Sequence, residues 1–573
     1  MKNQKVADIL ERMGTLLEIK GELVFKIRAY FKAAENIRNL TEDIETVKQE
    51  NRLATIPGIG KALEEKIVQY LDTGQISSYQ KLIKEVPETL LDIVSIPSIG
   101  PKKAKLFYEK LKIKDIGGLR RAAQAGKLEG LPGIKAKSIA NILKGMQIVR
   151  EGQERMNLGT ATKVAEDFLA AVKTVPEVKH MSVAGSLRRG QETVGDIDIL
   201  ITSPVPRKVM EIFTGLPQVT SVNVQGDTKS SILTKDNVQV DLRVVEDEQF
   251  GAALLYFTGS KDFGVKLRQI AMRKKMKVSE YGVFSVVGKK ERVLASKTEQ
   301  ACFKALGLPY IPPELREDIG ADALLSGKTV PRLIGQTDIQ GELHVHSTWS
   351  DGKNTIAEMA DAAQRWGYKY LAISDHSPRL RVAGGVAVAD LKKKKEEIDR
   401  LNAKMSGFRI LFGTEVEVDM DGNLDYNNAI LSGFDIVVAA VHSGFGQSKE
   451  KMTRRLLKVC QNKHVHILAH PTGRHIGKRE AYDMDFKQVC RAAAEHNVYL
   501  EINAFPVRLD LSSANVFFAR QQGAKFAINT DAHHVDHMEF MKFGITVARR
   551  GWLGKADVLN TLGLPQLLKA IKK

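Results

Sequence analysis

Six apolar runs after residue 340 each end in residues of the kind that bind metals. They are ELHVH (His344, His346), YLAISDH (His376), ILFGTEVE (Glu415), IVVAAVH (His442), VHILAH (His470) and FAINTDAH (Asp531, His533). Helical patterns separate the runs, which predicts βα units around a parallel sheet or barrel. Ligands at the C-terminal ends of parallel barrel strands converge on one mouth. The two-residue spacing in HVH and DAH keeps each pair on one face. Twelve of the 13 histidines lie after residue 336. With Asp351, nine candidate ligands result, too many for a single ion. Their mixture of imidazole and carboxylate suits Zn²⁺, Mn²⁺ or Fe²⁺ in a cluster of two or three ions. Such a cluster can activate a hydroxide and clamp a phosphodiester. His464, His466, His475, His496, His534 and His537 read as structural. Asp375 and Glu501 read either as partners that orient the ligands or as hydrogen bonders that support the fold.

A chain of 573 residues exceeds one core and predicts three or four structural units. No apolar run approaches the ~18 residues of a membrane span. The start, MKNQKVADILERMG, predicts a polar amphipathic helix without a signal-peptide core. Cys302, Cys460 and Cys490 are dispersed, which fits a reducing cytoplasm. The net charge of +18 is uneven: residues 101–150 hold 13 Lys and Arg against Glu109, Asp115 and Glu129, a net +10. That is a phosphate-backbone footprint or a solvated helix face.

A degenerate repeat favours the first reading. TIPGIGKALEEKIVQYL (55–71), SIPSIGPKKAKLFYEKL (95–111) and GLPGIKAKSIANILKGM (130–146) share one layout. A tight turn entering a helix offers free N–H groups to a phosphate. The repeat resembles the helix-hairpin-helix motif, which grips DNA without reading its sequence. On that resemblance Gly58, Gly60, Gly100, Lys102, Lys103, Gly133 and Lys135 contact DNA, and the turns are candidate monovalent-cation sites. Ser98 and Lys135 replace glycines and predict weaker grip in copies two and three.

In VAGSLRRGQETVGDIDILI (183–201), Asp196 and Asp198 lie two apart on a predicted strand and share a face. VQVDLRVV adds Asp241. Paired hard oxygens suit Mg²⁺ or Mn²⁺ together with substrate phosphates. The Gly185-Ser186 turn with Arg188 and Arg189 suits a triphosphate. These stretches, with YFTGSKDFGVKLRQIA (256–271) and LGLPYIPPELRE (306–317), resemble the palm and thumb of family X DNA polymerases. The resemblance implies metal ligation by Asp196, Asp198 and Asp241. It implies nucleotide contacts from Gly185, Ser186, Arg189, Gly195, Tyr256, Phe257 and Gly259, and a template contact from Arg268. Gly264 and Gln239 stand where vertebrate beta-type enzymes carry Asn and Arg, which puts base selection and rate in question. Lys66 matches the Schiff-base lysine of beta-type lyases, although neighbouring Glu64 and Glu65 favour a simple phosphate contact.

HVH, Asp351, SDH, TEVE, AVHSG, AHP and TDAH resemble the polymerase-and-histidinol-phosphatase (PHP) domain, with no ligand missing. Polymerase plus PHP is the layout of bacterial family X DNA polymerases. The fold expected is therefore multidomain, α and α/β. It comprises an 8-kDa-like helical domain (1–85), helix-hairpin-helix fingers (86–150) and an α+β nucleotidyltransferase palm (151–245). A thumb (246–317), a linker (318–338) and a (β/α)7-type PHP barrel (339–573) follow. The function expected is gap-filling DNA synthesis in base-excision or break repair, with 3′→5′ exonuclease and a candidate AP-endonuclease activity in the barrel. Partners expected are gapped or nicked DNA and dNTPs, with no membrane, for a cytoplasmic, nucleoid-associated monomer. The rivals are a template-independent nucleotidyltransferase acting on RNA and a non-catalytic DNA-end scaffold.

Overall fold

A computed structural model describes the chain except residues 1, 39, 41–43, 97–98, 136–137, 140–141, 144–145, 147–154, 237, 289, 318–319 and 573. It divides into two units, residues 1–153 with 477–480, and 154–476 with 481–573.

The first unit is helical. Helix Lys2–Lys20 buries Val6, Leu10, Met13 and Leu17, a stripe at helical spacing, against Tyr30, Ala33 and Ile37 of helix Val24–Arg38. The three repeats share one turn. Ile59 N donates to Ile56 O, Ile99 N to Ile96 O, and Ile134 N to Leu131 O, at 3.0–3.1 Å. Gly58 and Gly133 take φ of +85° and +77°, as the third residue of a Pro-Gly turn requires. The flanking isoleucines are buried, and Pro57-Gly58 and Pro132-Gly133, the tips of the first and third turns, are exposed. Helices Lys61–Thr73 and Pro101–Leu111 start at Gly60 and Gly100. Lys135 opens the third helix in the same way, its carbonyl accepting from Ser138 N and Ile139 N. Ser98 lies outside the described residues.

The second unit holds the palm, the thumb and the barrel. The palm sheet has strands β1 (Met181–Val183), β2 (Asp196–Thr202), β3 (Val219–Gln225), β4 (Lys229–Thr234) and β5 (Gln239–Val245). Their order is β1-β2-β5-β4-β3, and only β2 and β5 run parallel. Ile197, Ile199 and Ile201 face a core shared with helices Leu158–Val172 and Pro206–Thr214. The alternating positions carry the aspartates.

The thumb follows with helices Phe250–Thr258 and Lys261–Arg273, a meander of β6 (Met276–Ser279), β7 (Gly282–Val287) and β8 (Lys290–Ala295), and helix Glu299–Ala305. Its core encloses an ion triad. Arg316 is fully buried and donates to Glu299 at 2.6 Å, while Arg188 of the palm pairs with the same carboxylate through both ends at 2.7 and 2.9 Å. Residues read as a linker are packed: helix Ala321–Leu325 buries Ala321 and Leu324 in the thumb core, and Ile334 joins the barrel core. Leu325 is buried in the same thumb core, and Val330 and Leu333 pack against it.

Seven parallel strands form the last domain in sequential order: β9 (Gly341–Val345), β10 (Tyr370–Ile373), β11 (Arg409–Glu417), β12 (Ile436–Ala440), β13 (Ile467–Leu468), β14 (Tyr499–Asn503) and β15 (Phe526–Asn529). A parallel bridge from Val345 to Ala532 brings the sheet's ends together, so the barrel is nearly closed. Leu567 and Ile571 of the C-terminal helix Leu564–Ile571 pack against Leu343, Tyr370 and Ile436.

Breaking a buried ion pair by removing one partner costs about 3–5 kcal/mol. Glu299→Gln is therefore expected to lower the unfolding midpoint of the palm–thumb region in calorimetry and to speed its proteolysis. Glu248→Gln, on an exposed pair with Lys297, serves as the neutral control.

Candidate active sites

The palm aspartates open a polar cavity of about 700 Å³. Asp198 sits directly opposite Asp241 in the β2–β5 register, and Asp196 is at the exposed start of β2. The chain between β1 and β2 folds into one helical turn, Gly185–Arg188, tethered by Ala184 N donating to Asp198 O at 2.8 Å. A Cβ on Gly185 would lie 2.2 Å from Asp198 Oδ2, and its φ is +57°. Only glycine lets this loop approach the carboxylate so closely. Burial, then Asp196 and Asp241, push the Asp198 carboxyl up to about 6, against the pull of Arg243 and Arg189. Such a set of repelling carboxylates is a cation site by its chemistry. The three do not gather within 4.8 Å of one another as the barrel ligands do.

Of the sequence-predicted nucleotide contacts, Gly185, Ser186, Arg189, Tyr256, Phe257 and Gly259 line the cavity with Asp196 and Asp198, as do Arg268 and Gly264. Gly195 and Asp241 are not among the lining residues. Asp241 Oδ1 accepts from Ser231 at 2.6 Å and from Gln239 at 3.0 Å, so Gln239 supplies a hydrogen bond without charge. Arg188 does not reach the cavity either, because Glu299 and Thr258 occupy its guanidinium. Sequence reasoning missed Arg243, whose guanidinium lies 4.4 Å from the Phe257 ring centroid. The signal was available: in VDLRV it shares a face with Asp241.

At the barrel mouth the nine ligand candidates come together. Three groups each place one ligand atom per residue within 4.8 Å: His346, Asp351, His376 and His533; His344, His346 and Asp531; and His376, Glu415 and His442. His346 and His376 are each shared by two groups. His470 stands beside them, its Nε2 3.2 Å from Glu415 Oε1. Burial is nearly complete for His344, His346, Glu415 and His470. His344 Nε2, both His346 ring nitrogens and Glu415 Oε2 are buried without a hydrogen-bond partner. Buried polar atoms are rarely left so. This donor set fits divalent ions.

The charges adjust to one another. Glu415 is held well below the carboxylate range by the surrounding imidazoles, foremost His376, despite its burial. His346 is pushed down to about 4 by burial and by His533 and His376. His533 rises to about 9 against burial because Asp351 and Asp531 face it. An outer ring orients the ligands: Glu501 accepts from His344 Nδ1 at 2.7 Å, Glu417 from His442 Nδ1 at 2.7 Å, and the Asp531 carbonyl from His533 Nδ1 at 2.8 Å. Glu501 thus orients a ligand. Asp375 instead holds Ser347, Ser350 and buried Lys394 and supports the fold. Glu417 escaped the sequence reading although TEVE puts it two residues from Glu415. His466 is structural, accepting from Val437 N at 2.9 Å.

In the helical unit, Gly60, Gly100 and Gly133 have open space where a Cβ would point, so a backbone can approach. Lys102 and Lys103 lie in the first turn after Gly100. Lys66 Nζ donates to Ala62 O at 2.7 Å. Its ammonium is pushed down by burial, with Glu65 opposing and Lys26 adding to the shift.

Orienting carboxylates such as Glu417 change metal affinity by about 10–100-fold. Glu417→Gln is expected to weaken divalent-ion binding by that factor, read by elemental analysis after dialysis and by calorimetric titration.

Comparison with known proteins follows the same layout. Residues 1–76 match the helix-hairpin-helix domain and 88–147 the SAM-like helix-hairpin-helix tandem. Residues 157–255 match the DNA polymerase beta palm, 253–317 the DNA polymerase beta thumb, and 342–505 the PHP domain. The chain is 39% identical over 575 aligned residues, all of both proteins, to the DNA polymerase/3′-5′ exonuclease PolX of Bacillus subtilis (strain 168). It is 25% identical to DNA polymerase lambda of Rattus norvegicus over 55% of this chain and 56% of the rat enzyme. Its barrel region is 30% identical to a probable phosphatase of Thermoanaerobacter sp. (strain X514), over 38% of this chain and 89% of that protein. With identity running through its whole length and polymerase and PHP domains matched in turn, the chain belongs to the family X DNA polymerases that carry a C-terminal PHP domain.

Proposed function

We propose that this chain is a DNA polymerase that fills short gaps in repair and trims 3′ ends with its own 3′→5′ exonuclease. The observation that supports it most is the presence, in one chain, of two chemically different ligand sets. One is a carboxylate trio beside a triphosphate-sized cavity; the other is a histidine-rich cluster at a barrel mouth.

In the polymerase half, Asp196, Asp198 and Asp241 would hold Mg²⁺ or Mn²⁺, which when bound neutralise the triphosphate and acidify the attacking 3′-hydroxyl. Ser186, the 185–186 backbone and Arg189 seat the phosphates. Gly195, preceding Asp196, lets the backbone near them. Tyr256, Phe257 and Gly259 pack against the sugar, leaving little room for a 2′-hydroxyl, and Arg268 contacts the template strand. In the barrel, His344, His346, Asp351, His376, Glu415, His442, His470, Asp531 and His533 would hold two or three Mn²⁺, Zn²⁺ or Fe²⁺ ions for phosphodiester hydrolysis. Incision at abasic sites is a second use of the same centre. The helical unit grips DNA phosphates through the turns at Gly58, Gly60, Gly100, Gly133 and Lys135, with Lys102 and Lys103 adding charge and a monovalent cation bound by the turn carbonyls. Lys66, whose amine is eased toward neutrality by burial, is the candidate for a deoxyribose-phosphate lyase.

The substrate is gapped or nicked duplex, the working form is a monomer, and the site of action is the nucleoid in the cytoplasm. No helix among the described residues is long and apolar enough to cross a membrane. The six-part division, with boundaries at 85, 150, 245, 317 and 338, is part of this proposal.

Primer extension on gapped DNA with Mn²⁺, with and without dNTPs, tests the reading. Synthesis with dNTPs and shortening without them are expected; a preference for rNTPs, or DNA left unchanged, overturns it. Asp196→Ala or Asp198→Ala is expected to abolish incorporation and spare shortening, and His344→Ala with His346→Ala to do the reverse. Gly185→Ala displaces the loop from Asp198 and is expected to slow incorporation about 100-fold, since misplacing reacting groups by about 1 Å costs that much. Circular dichroism checks that each variant is folded.

A further inference from the structure

The loop that shapes the nucleotide cavity is anchored on the nuclease barrel. Arg550, at the end of barrel helix Met541–Arg550, is buried and donates from Nη1 to the Arg189 carbonyl at 2.8 Å. The same nitrogen lies 3.6 Å from Glu317 Oε1, which accepts from Arg189 Nε and from Gln191 Nε2, each at 2.5 Å. Next along the loop, Gly190 takes a φ of +66°, and a Cβ there would fall 2.1 Å from Thr546 Cγ2 of the same barrel helix. Glu192 completes the anchor. Its Oε2 accepts from Arg474 Nη1 at 2.7 Å and its Oε1 from Ser513 N at 2.9 Å. Three of four consecutive residues in a polymerase loop are therefore held by barrel groups.

We propose that Arg550 is a positioning residue for the nucleotide site, acting through Arg189. This rests on the polymerase reading above. With Nε on Glu317 and Nη1 on the Thr258 carbonyl, the Arg189 guanidinium has a fixed plane, and its remaining N–H groups are left for a phosphate in the cavity. Arg550 fixes the backbone of Arg189 and shares the Glu317 charge that orients its head. Removing Arg550 frees the loop and leaves Arg189 as the one cation on Glu317, which makes Glu317 a stronger competitor to the triphosphate. The triphosphate is common to all four dNTPs, so the defect is independent of the base.

Arg550→Ala is expected to raise KM for each of the four dNTPs by about tenfold, the weight of one hydrogen bond to a charged group. The kcat stays within about twofold, as for a lost binding interaction. The 3′→5′ exonuclease rate on single-stranded DNA is expected to be unchanged, and Arg550→Lys to recover part of the KM. Glu192→Gln, nearly isosteric, tests the same anchor should Arg550→Ala fail to fold, and is expected to raise KM in the same direction. An unchanged KM in a folded variant overturns the proposal, as does a rise confined to one dNTP or a parallel loss of exonuclease. A wild-type protein that incorporates no dNTP overturns the polymerase reading itself, a result distinct from these.

Discussion

Ionisable side chains gathered out of water are the constraint from which this chain is built. At the barrel mouth, burial opposes the charge on His344, His346, Glu415 and Asp531, and an isolated buried ion would cost several kcal/mol. The ligands offset this by facing one another: imidazoles pull the Glu415 and Asp531 carboxyls down, and Glu501, Glu415 and Asp531 raise His344, each against its burial. Parallel strands make the arrangement achievable, since six of the seven bring one or two ligand candidates to one rim and none needs to cross the core. The orphaned ring nitrogens of His346 mark where protein partners run out and metal coordination would take over. Metal binding and the stability of this region are coupled for that reason.

The palm meets the same problem with fewer groups. Burial first, and then the repulsion of Asp196 and Asp241, raise the Asp198 carboxyl, and the Gly185 backbone closes over it where no side chain would fit. Arginines then do two separate jobs. Arg188 and Arg316 neutralise Glu299 in the interior and tie palm to thumb, while Arg189, one residue on, stays at the cavity wall. Adjacent residues on a helical turn point about 100° apart, which separates the arginine paired in the interior from the one at the cavity wall.

Holding the nucleotide loop on the barrel gives the two chemistries one scaffold. Glu192 is bonded to Arg474, which also donates to the carbonyl of Arg508, and Arg508 Nε lies 3.7 Å from the ligand Asp531. The residues shaping the triphosphate cavity and those lining the nuclease mouth thus rest on shared supports.

Much of this was legible beforehand. Period-two spacing placed Asp196 with Asp198 and His344 with His346, and the repeat located three turns closed by the same backbone hydrogen bond. A misreading arose where a residue's role depends on a distant partner: Arg188, read as a triphosphate contact, is taken by Glu299, 111 residues away. The amino-acid sequence by itself determined which side chains can reach a metal and from which strand ends, because alternation and helix entry are local geometry. Only the tertiary structure decided what holds them, Glu417 on His442 or Arg550 on Arg189 across 361 residues, because such pairings leave no periodic trace along the chain.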